Sequence, residues 1–224
     1  MSCRGHCWMR IPGIVAGTKK AAENAKAAGF DGVEVHGANG YLLDEFLRDG
    51  ANKRQGAYGG SLPNRARLLL EVIEAAVSVW GADRVGLRNS PLNSFNSMSD
   101  SDPVGLVSWL GEKLSSYGLA YWHVMRADFL GEQSGDVMTA ARAAYRGVLV
   151  GNMGYSPQEA AEAIAAKKLD AVAFGTPFLA NPDLPARVKA GAALNTPDET
   201  TFYSPGAKGY TDYPAMKAVS SCDA

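Results

Sequence analysis

The stretch Phe30-Asp31-Gly32-Val33-Glu34-Val35-His36 is short, rich in β-branched and aromatic residues, and bounded by glycine at both ends. It reads as a strand that ends in a histidine. Four later runs share the character: Val85-Gly86-Leu87-Arg88, Leu119-Ala120-Tyr121-Trp122-His123-Val124, Gly147-Val148-Leu149-Val150-Gly151 and Ala171-Val172-Ala173-Phe174-Gly175. Amphipathic segments separate them. Residues 14–28 carry Ala21, Ala22, Ala25 and Ala28 on one face and stop at Gly29, a residue suited to a C-terminal cap. Residues 62–80 place Leu68, Leu69, Val72, Ile73, Ala76, Val79 and Trp80 at helical spacing, with Ser61 as N-cap and Gly81 as the stop. Residues 103–117 and 157–167 behave alike, and Ser156-Pro157 supplies a cap followed by a first-turn proline.

Strand and helix alternating five times predict a parallel sheet with helices packed outside it. A doubly wound sheet and a (β/α) barrel both satisfy that pattern. His36, Arg88, Asn152 and Thr176 fall at or just past the carboxyl ends of four different strands. Polar residues drawn from several strand ends are the habit of a TIM barrel. A complete barrel takes eight strands and about 250 residues. The expected fold is therefore α/β, a partial TIM (β/α)8 barrel of five parallel strands with outer helices, the first three βα units missing.

Composition narrows the class. The 224 residues are one domain's worth, 46% hydrophobic and 20% charged, which argues for a folded globular chain. Twenty-two basic against 23 acidic side chains leave a net charge of −1, so no electrostatic field points to nucleic acid or an anionic membrane. No apolar run approaches the roughly 20 residues of a membrane span. Cys3, Cys7 and Cys222 sit at the two ends and form no disulfide framework. Cys3-Arg-Gly-His-Cys7 offers three soft ligands but reads as a terminus with thiols, and no metal is expected. With no signal peptide pattern and no retention signal, the expected compartment is the cytoplasm.

The chemistry concentrates in His36-Gly37-Ala38-Asn39-Gly40-Tyr41-Leu42-Leu43-Asp44-Glu45-Phe46-Leu47, followed by Asn52-Lys53-Arg54 and Tyr58-Gly59-Gly60-Ser61-Leu62-Pro63-Asn64-Arg65. A strand ending in His, with Asn three residues on, aims two hydrogen-bond donors at one point and can polarise a carbonyl. Tyr41 can bring a phenolic proton to the same place. Three such residues read equally as a core histidine, a turn asparagine and a packing tyrosine. Trp80, Trp109 and Trp122 read as packing residues, and His123 as a core or barrel-lumen histidine.

This stretch closely resembles the old yellow enzyme family, which includes bacterial and fungal ene-reductases and plant oxophytodienoate reductases. The resemblance runs from about Ile11 to Pro214 and corresponds to the last five βα units of that family's eight-unit barrel. Residues 1–10 resemble nothing in that region and read as a leader, with residues 11–224 the C-terminal portion of an FMN-binding barrel domain. The resemblance implies that His36 and Asn39 bind the oxygen of an unsaturated carbonyl substrate and that Tyr41 protonates its α-carbon. It implies that Arg88 lies against the flavin, that Phe95 and Tyr203 wall the substrate pocket, and that Gly151, Asn152, Phe174, Gly175 and Thr176 line the FMN phosphate site. The implied cofactors are FMN with NADPH or NADH as reductant. The implied activity is reduction of the C=C bond of an α,β-unsaturated carbonyl compound, with a small molecule as partner and neither nucleic acid nor membrane.

The sequence departs from the family pattern at four places. Thr176 stands where an arginine is usual, Met153 where a glycine is common, Gly56 where an aspartate is usual and Asn89 where an apolar residue is usual. Two other readings compete. One is a catalytically inactive barrel fragment, a pseudoenzyme or interaction protein. The other is an aldolase or isomerase barrel, which lacks a strand-end lysine and paired strand-end carboxylates here. Strands covered on both faces should be apolar on both. The inner face of five strands is thus expected to expose apolar surface, to leave the chain marginally stable, and to favour homo-oligomers through its open sheet edges.

Overall fold

The computed structural model describes residues 11–216. Cys3, Cys7, Cys222 and the leader reading of residues 1–10 lie outside the described residues. The chain opens with α1 (Ile11–Ala27). Gly29, at φ +88°, donates to the carbonyl of Lys26, and Phe30 donates to that of Ala25. This pair of bonds is a Schellman cap, and it takes Phe30 out of the strand to which its composition assigned it. Phe30 is 65% exposed, and the first strand, β1 (Val33–Gly37), starts three residues later.

The order then runs α2 (Leu42–Leu47), α3 (Leu62–Trp80), β2 (Val85–Asn89), α4 (Pro103–Leu114), β3 (Tyr121–Met125), α5 (Val137–Ala144), β4 (Leu149–Asn152), α6 (Pro157–Ala165), β5 (Ala171–Ala173), α7 (Thr176–Ala180) and α8 (Leu184–Ala190). α3 occupies the expected span. α4 and α6 stop two or three residues short of it. Side-chain caps start three helices: Asp102 accepts from Gly105 N, Asp136 from Thr139 N and Ser156 from Glu159 N. Ser61 holds the N-cap position of α3 without a side-chain bond.

The five strands form one parallel sheet in the order β1-β2-β3-β4-β5. Each strand pairs with the next in sequence, and the order never reverses. A doubly wound sheet reverses at its switch point, so this succession is that of a (β/α) barrel. β1 and β5 are the edges of the described sheet. The core lies between the sheet and its outer helices. Leu68, Leu69, Val72, Ile73 and Ala76 of α3 pack with Val35, Val85 and Leu87, and Leu106, Val107 and Leu110 of α4 with Trp122 and Val124. Trp80 donates from Nε1 to the carbonyl of Ala22 at 3.0 Å, which ties α3 to α1.

The inner face corrects the apolar expectation. Parallel register sets Glu34 beside Gly86 and Tyr121, then His36 beside Arg88, His123, Val150 and Ala171. In β1 the exposed residues are Glu34 and His36, while Val35 and Gly37 are buried. Glu34–His123 and Arg88–Asn152 are bonded pairs across this face, so it is partly polar and not apolar throughout.

Asn89 is the polar departure that packing explains. It is 2% exposed on the helix side of β2. Its Nδ2 donates to the carbonyl of Gly37 at 2.7 Å, and its Oδ1 accepts from Trp122 Nε1 at 2.8 Å. One amide thus satisfies the buried indole of β3 and the last carbonyl of β1. Replacing Asn89 by Leu leaves both groups unpaired, each costing about 1–3 kcal/mol. Urea unfolding should show Asn89→Leu destabilised by about 3 kcal/mol.

Candidate active site

The strand register brings the carboxyl-end residues together. His36 and Arg88 are direct neighbours across β1 and β2. Arg88 donates from Nη2 to Asn152 Oδ1 at 3.0 Å, and Asn152 Nδ2 donates to the carbonyl of Ala173 at 2.8 Å. One side-chain chain therefore links β2, β4 and β5 across the top of β3. Burial holds the Arg88 guanidinium below its ordinary pKa, partly offset by the charge of Glu34. Glu34 bonds His123 Nδ1 through Oε2 at 3.0 Å. Burial pushes the Glu34 carboxyl up, but the His123 bond and charge, with Tyr121 and Arg88, outweigh it and set the net shift downward.

The turn after β1 presents two more groups. Asn39 sits at φ +59°, a left-handed conformation that asparagine tolerates. Its N–H donates to Ser90 Oγ at 2.7 Å, and its carbonyl accepts from Asn96 Nδ2 at 3.1 Å. Its Nδ2 donates to Met125 Sδ at 3.4 Å. A thioether is a weak acceptor, so this amide gives up little by turning to an oxygen. Gly40, at φ +72°, has no room for a side chain: an added Cβ would lie 2.5 Å from Asn96 Cβ and 2.8 Å from the Phe95 carbonyl. Tyr41, the N-cap of α2, is 57% exposed, with its ring centroid 5.5 Å from that of His36. Burial lowers the His36 pKa first, and the Arg88 charge lowers it further against a smaller opposing effect of Glu34. His36 is therefore neutral at pH 7 and donates through a single N–H.

Beneath the turn lies a buried ionic cluster to which no motif drew attention. Asp44 and Arg48, one turn apart on α2, are 1% and 0% exposed. Asp44 Oδ2 accepts from Gly40 N at 2.9 Å and from Ser90 Oγ at 3.4 Å. Arg48 lies 3.8 Å from Asp44 Oδ1 and 4.0 Å from Asp100, donates to the Ser90 carbonyl, and reaches Gln133. Burial raises the Asp44 carboxyl to about 6, against the lowering effects of Arg48, Gly40 and Ser90. The one sequence cue was a carboxylate three residues into a helix, the spacing of a residue that reaches back to the helix start.

The remaining expected residues divide. Phe95 adjoins the Asn39 turn through Asn96 and faces Phe129 at a centroid distance of 5.9 Å. Phe174, Gly175 and Thr176 form the β5–α7 junction, where an added Cβ at Gly175 would meet nothing within 4 Å. Gly151 is buried, and its missing side chain makes room on the helix side for Leu169 and Tyr155, so only its backbone is available to a ligand. Tyr203 is not brought against the others: its side chain is 99% exposed, and its N–H donates to Tyr210 Oη. Met153 stands at φ +84°, a strained conformation for any residue with a Cβ. Gly56, at φ +90°, suits its turn better than the usual aspartate would.

A more voluminous cavity lies elsewhere. A groove of about 800 Å³ runs between α5 and α6 on the outer surface. Its principal cation, Arg126, is engaged by Glu159, by the Tyr155 ring at 3.7 Å and by the carbonyls of Met153 and Gly154. The strand ends instead offer donors that are unengaged or weakly engaged, and there we place the candidate site.

A polar strand-end face on a sequentially wound parallel sheet is that of a (β/α) barrel, and comparison with known proteins gives its class. Residues 10–195 match the model of the NADH:flavin oxidoreductase / NADH oxidase family, and the chain belongs to that family. It is 53% identical over 196 residues to a probable flavin mononucleotide-dependent alkene reductase of Leishmania infantum, covering 88% of this chain and 53% of that protein. It is 42% identical over 215 residues to 12-oxophytodienoate reductase 2 of Arabidopsis thaliana, covering 94% and 58%. Among solved structures, the old yellow enzyme of Trypanosoma cruzi superposes with a TM-score of 0.91 at 43% identity, covering 93% of this chain and 56% of that one. Morphinone reductase in complex with tetrahydroNAD superposes with a TM-score of 0.87 at 42% identity, covering 93% and 57%. The chain thus spans somewhat over half the length of the relatives it matches. No helix among the described residues is long and apolar enough to cross a membrane.

Two measurements follow from this geometry. Met153→Gly removes left-handed strain of about 1–2 kcal/mol, less glycine's greater unfolded-state entropy, and should raise stability by about 1 kcal/mol in urea unfolding. Asp44 titrates near 6 in the folded chain and at an ordinary 3.8 when unfolded. The folded state therefore binds more protons between those values, and this contribution to stability is present at low pH and lost as pH rises through 6. The stability of the wild type relative to Asp44→Asn should fall by roughly 3 kcal/mol between about pH 4 and about pH 7.

Proposed function

We propose that this chain carries the polarising and proton-donating part of an FMN-dependent NAD(P)H oxidoreductase that reduces the C=C bond of α,β-unsaturated carbonyl compounds. The observation that carries the reading is that Tyr41 lies beside His36, His36 adjoins Arg88, and the turn between His36 and Tyr41 carries the weakly engaged Asn39 amide. Names of relatives that specify alkene and oxophytodienoate reductases support the same reaction class.

The residues suit a flavin mononucleotide. Among the described residues the Arg88 guanidinium makes one hydrogen bond, to Asn152, leaving N–H groups for the flavin ring. Gly175 borders open space, and the N–H of Thr176 at the start of α7 has no intrahelical acceptor, so the β5–α7 junction can receive a phosphate. Asn152 holds Arg88 in place. FMN, when bound and charged by NADH or NADPH, supplies the hydride. Neutral His36 and the Asn39 amide donate to the substrate oxygen and draw electron density from its double bond. Tyr41, exposed beside His36, delivers its phenolic proton to the α-carbon and recovers it from water. Thr176 offers a hydroxyl where a guanidinium would add charge, which weakens phosphate binding.

The reading is tested by enone-dependent NAD(P)H oxidation with FMN supplied in excess. His36→Ala and Asn39→Ala should each cut turnover about a hundredfold, the loss of one oriented donor to a developing oxyanion. Tyr41→Phe should slow the enone half-reaction in stopped flow and spare flavin reduction; slowing of flavin reduction alone would remove Tyr41 from its role. Thr176→Arg should tighten FMN roughly tenfold. A chain that takes up no FMN even with Thr176→Arg would support the fragment without catalysis instead.

A further inference from the structure

We infer that Asp44 is a positioning residue, whose buried carboxylate fixes the turn that presents Asn39 and Tyr41 by holding Gly40 directly and Asn39 through Ser90. The inference rests on the reading of Asn39 and Tyr41 as substrate-facing donors. Asn39 and Gly40 both have positive φ, so this turn has no helix or strand ladder to hold it. Tyr41 N–H closes the turn onto the Ala38 carbonyl at 3.2 Å, and Asn96 Nδ2 reaches the Asn39 carbonyl. The two amides between them are held by a fork of hydrogen bonds. Asp44 Oδ2 takes the Gly40 N–H at 2.9 Å and the Ser90 hydroxyl at 3.4 Å, and Ser90 Oγ in turn takes the Asn39 N–H at 2.7 Å. A hydroxyl that donates to a carboxylate has its lone pairs turned toward the amide, which orders both bonds. Without the fork, Asn39 loses its amide anchor to Ser90, and the Gly40 amide that precedes Tyr41 is released.

The charge on Asp44 is set by its whole surroundings. On its own helix Arg48 lies 3.8 Å away; Asp100, from the segment before α4, also bears on it, and Arg65 of α3 lies 3.8 Å from Asp100. Ser90 faces it from the end of β2. Arg48 favours the ionised form, Asp100 opposes it, and burial opposes it most. Protonation removes the charge that assists both bonds, so the fork loosens when Asp44 becomes neutral. The orientation of the donors is thereby coupled to pH below neutrality.

Amide NMR of the chain tests this without flavin or substrate. The Gly40 and Asn39 N–H resonances should titrate in one step with the Asp44 carboxyl carbon, and Asp44→Asn should abolish that step. Hydrogen exchange at both amides should accelerate roughly tenfold to a hundredfold in Asp44→Asn. Ser90→Ala, which leaves the ionic cluster intact, should accelerate exchange at Asn39 and leave Gly40 protected. Gly40 and Asn39 amides that do not titrate with Asp44, exchange at both that is unchanged in Asp44→Asn, or exchange at Asn39 that is unchanged in Ser90→Ala would overturn the inference. Failure of the functional reading is distinguishable: His36→Ala and Asn39→Ala would then leave enone turnover unchanged while the amide signature stood.

Discussion

The in-line register of the parallel strands is the constraint on which the rest depends. Side chains alternate along a strand, so once His36 pairs with Arg88 and Arg88 with His123, every second residue of each strand is committed to the inner face. A slip of one residue in β2 would bury Arg88 among Leu68, Leu69 and Trp122 and turn Leu87 to the open side. The core enforces the register from without and the polar chain Arg88–Asn152–Ala173 enforces it from within. Asn89 closes the arrangement on the outer side, because its amide fits only where the β1 carbonyl and the β3 indole come into line.

Much of the fold was legible because its signals are local. Helical spacing and a terminal glycine gave α3 its span, and five short apolar runs gave the five strands. Strand starts were less legible, since Phe30 has strand-like composition but belongs to a helix cap formed by backbone bonds. The short helices α2, α5, α7 and α8 carry too few turns to show a periodic face. The polar inner face was visible in principle as the alternation Val33-Glu34-Val35-His36, but the apolar expectation for parallel strands overrode it. At the site, His36, Asn39, Tyr41 and Arg88 stood out as polar groups at strand ends. Asp44, Ser90 and Arg48 did not, because their importance lies in burial and in pairings between distant segments.

The departures from the family pattern take physical form in the structure. Met153 stores backbone strain in the turn after β4, and Thr176 presents a hydroxyl at the start of α7. Both sit where the phosphate site is proposed, whereas His36, Asn39 and Tyr41, proposed to face substrate, keep the family's residue types. The edges at β1 and β5 add unpaired backbone groups at both limits of the described sheet, and a cavity of about 330 Å³ lies along β1 between its residues and α1. The proposed substrate side is thus ordered by its own hydrogen bonds, and the proposed phosphate side offers a hydroxyl in place of a charge.

Ligand chemistry is proposed to belong to the strand ends and not to the more voluminous outer groove. Mapping amide shift changes on a two-dimensional NMR spectrum during titration with FMN tests this directly, and detects even weak binding. Progressive shifts are expected at His36, Arg88, Asn152 and Gly175, with residues of the α5–α6 groove undisturbed. Shifts centred on Arg126, Arg142 and Tyr155, or a spectrum unchanged at saturating FMN, would contradict it.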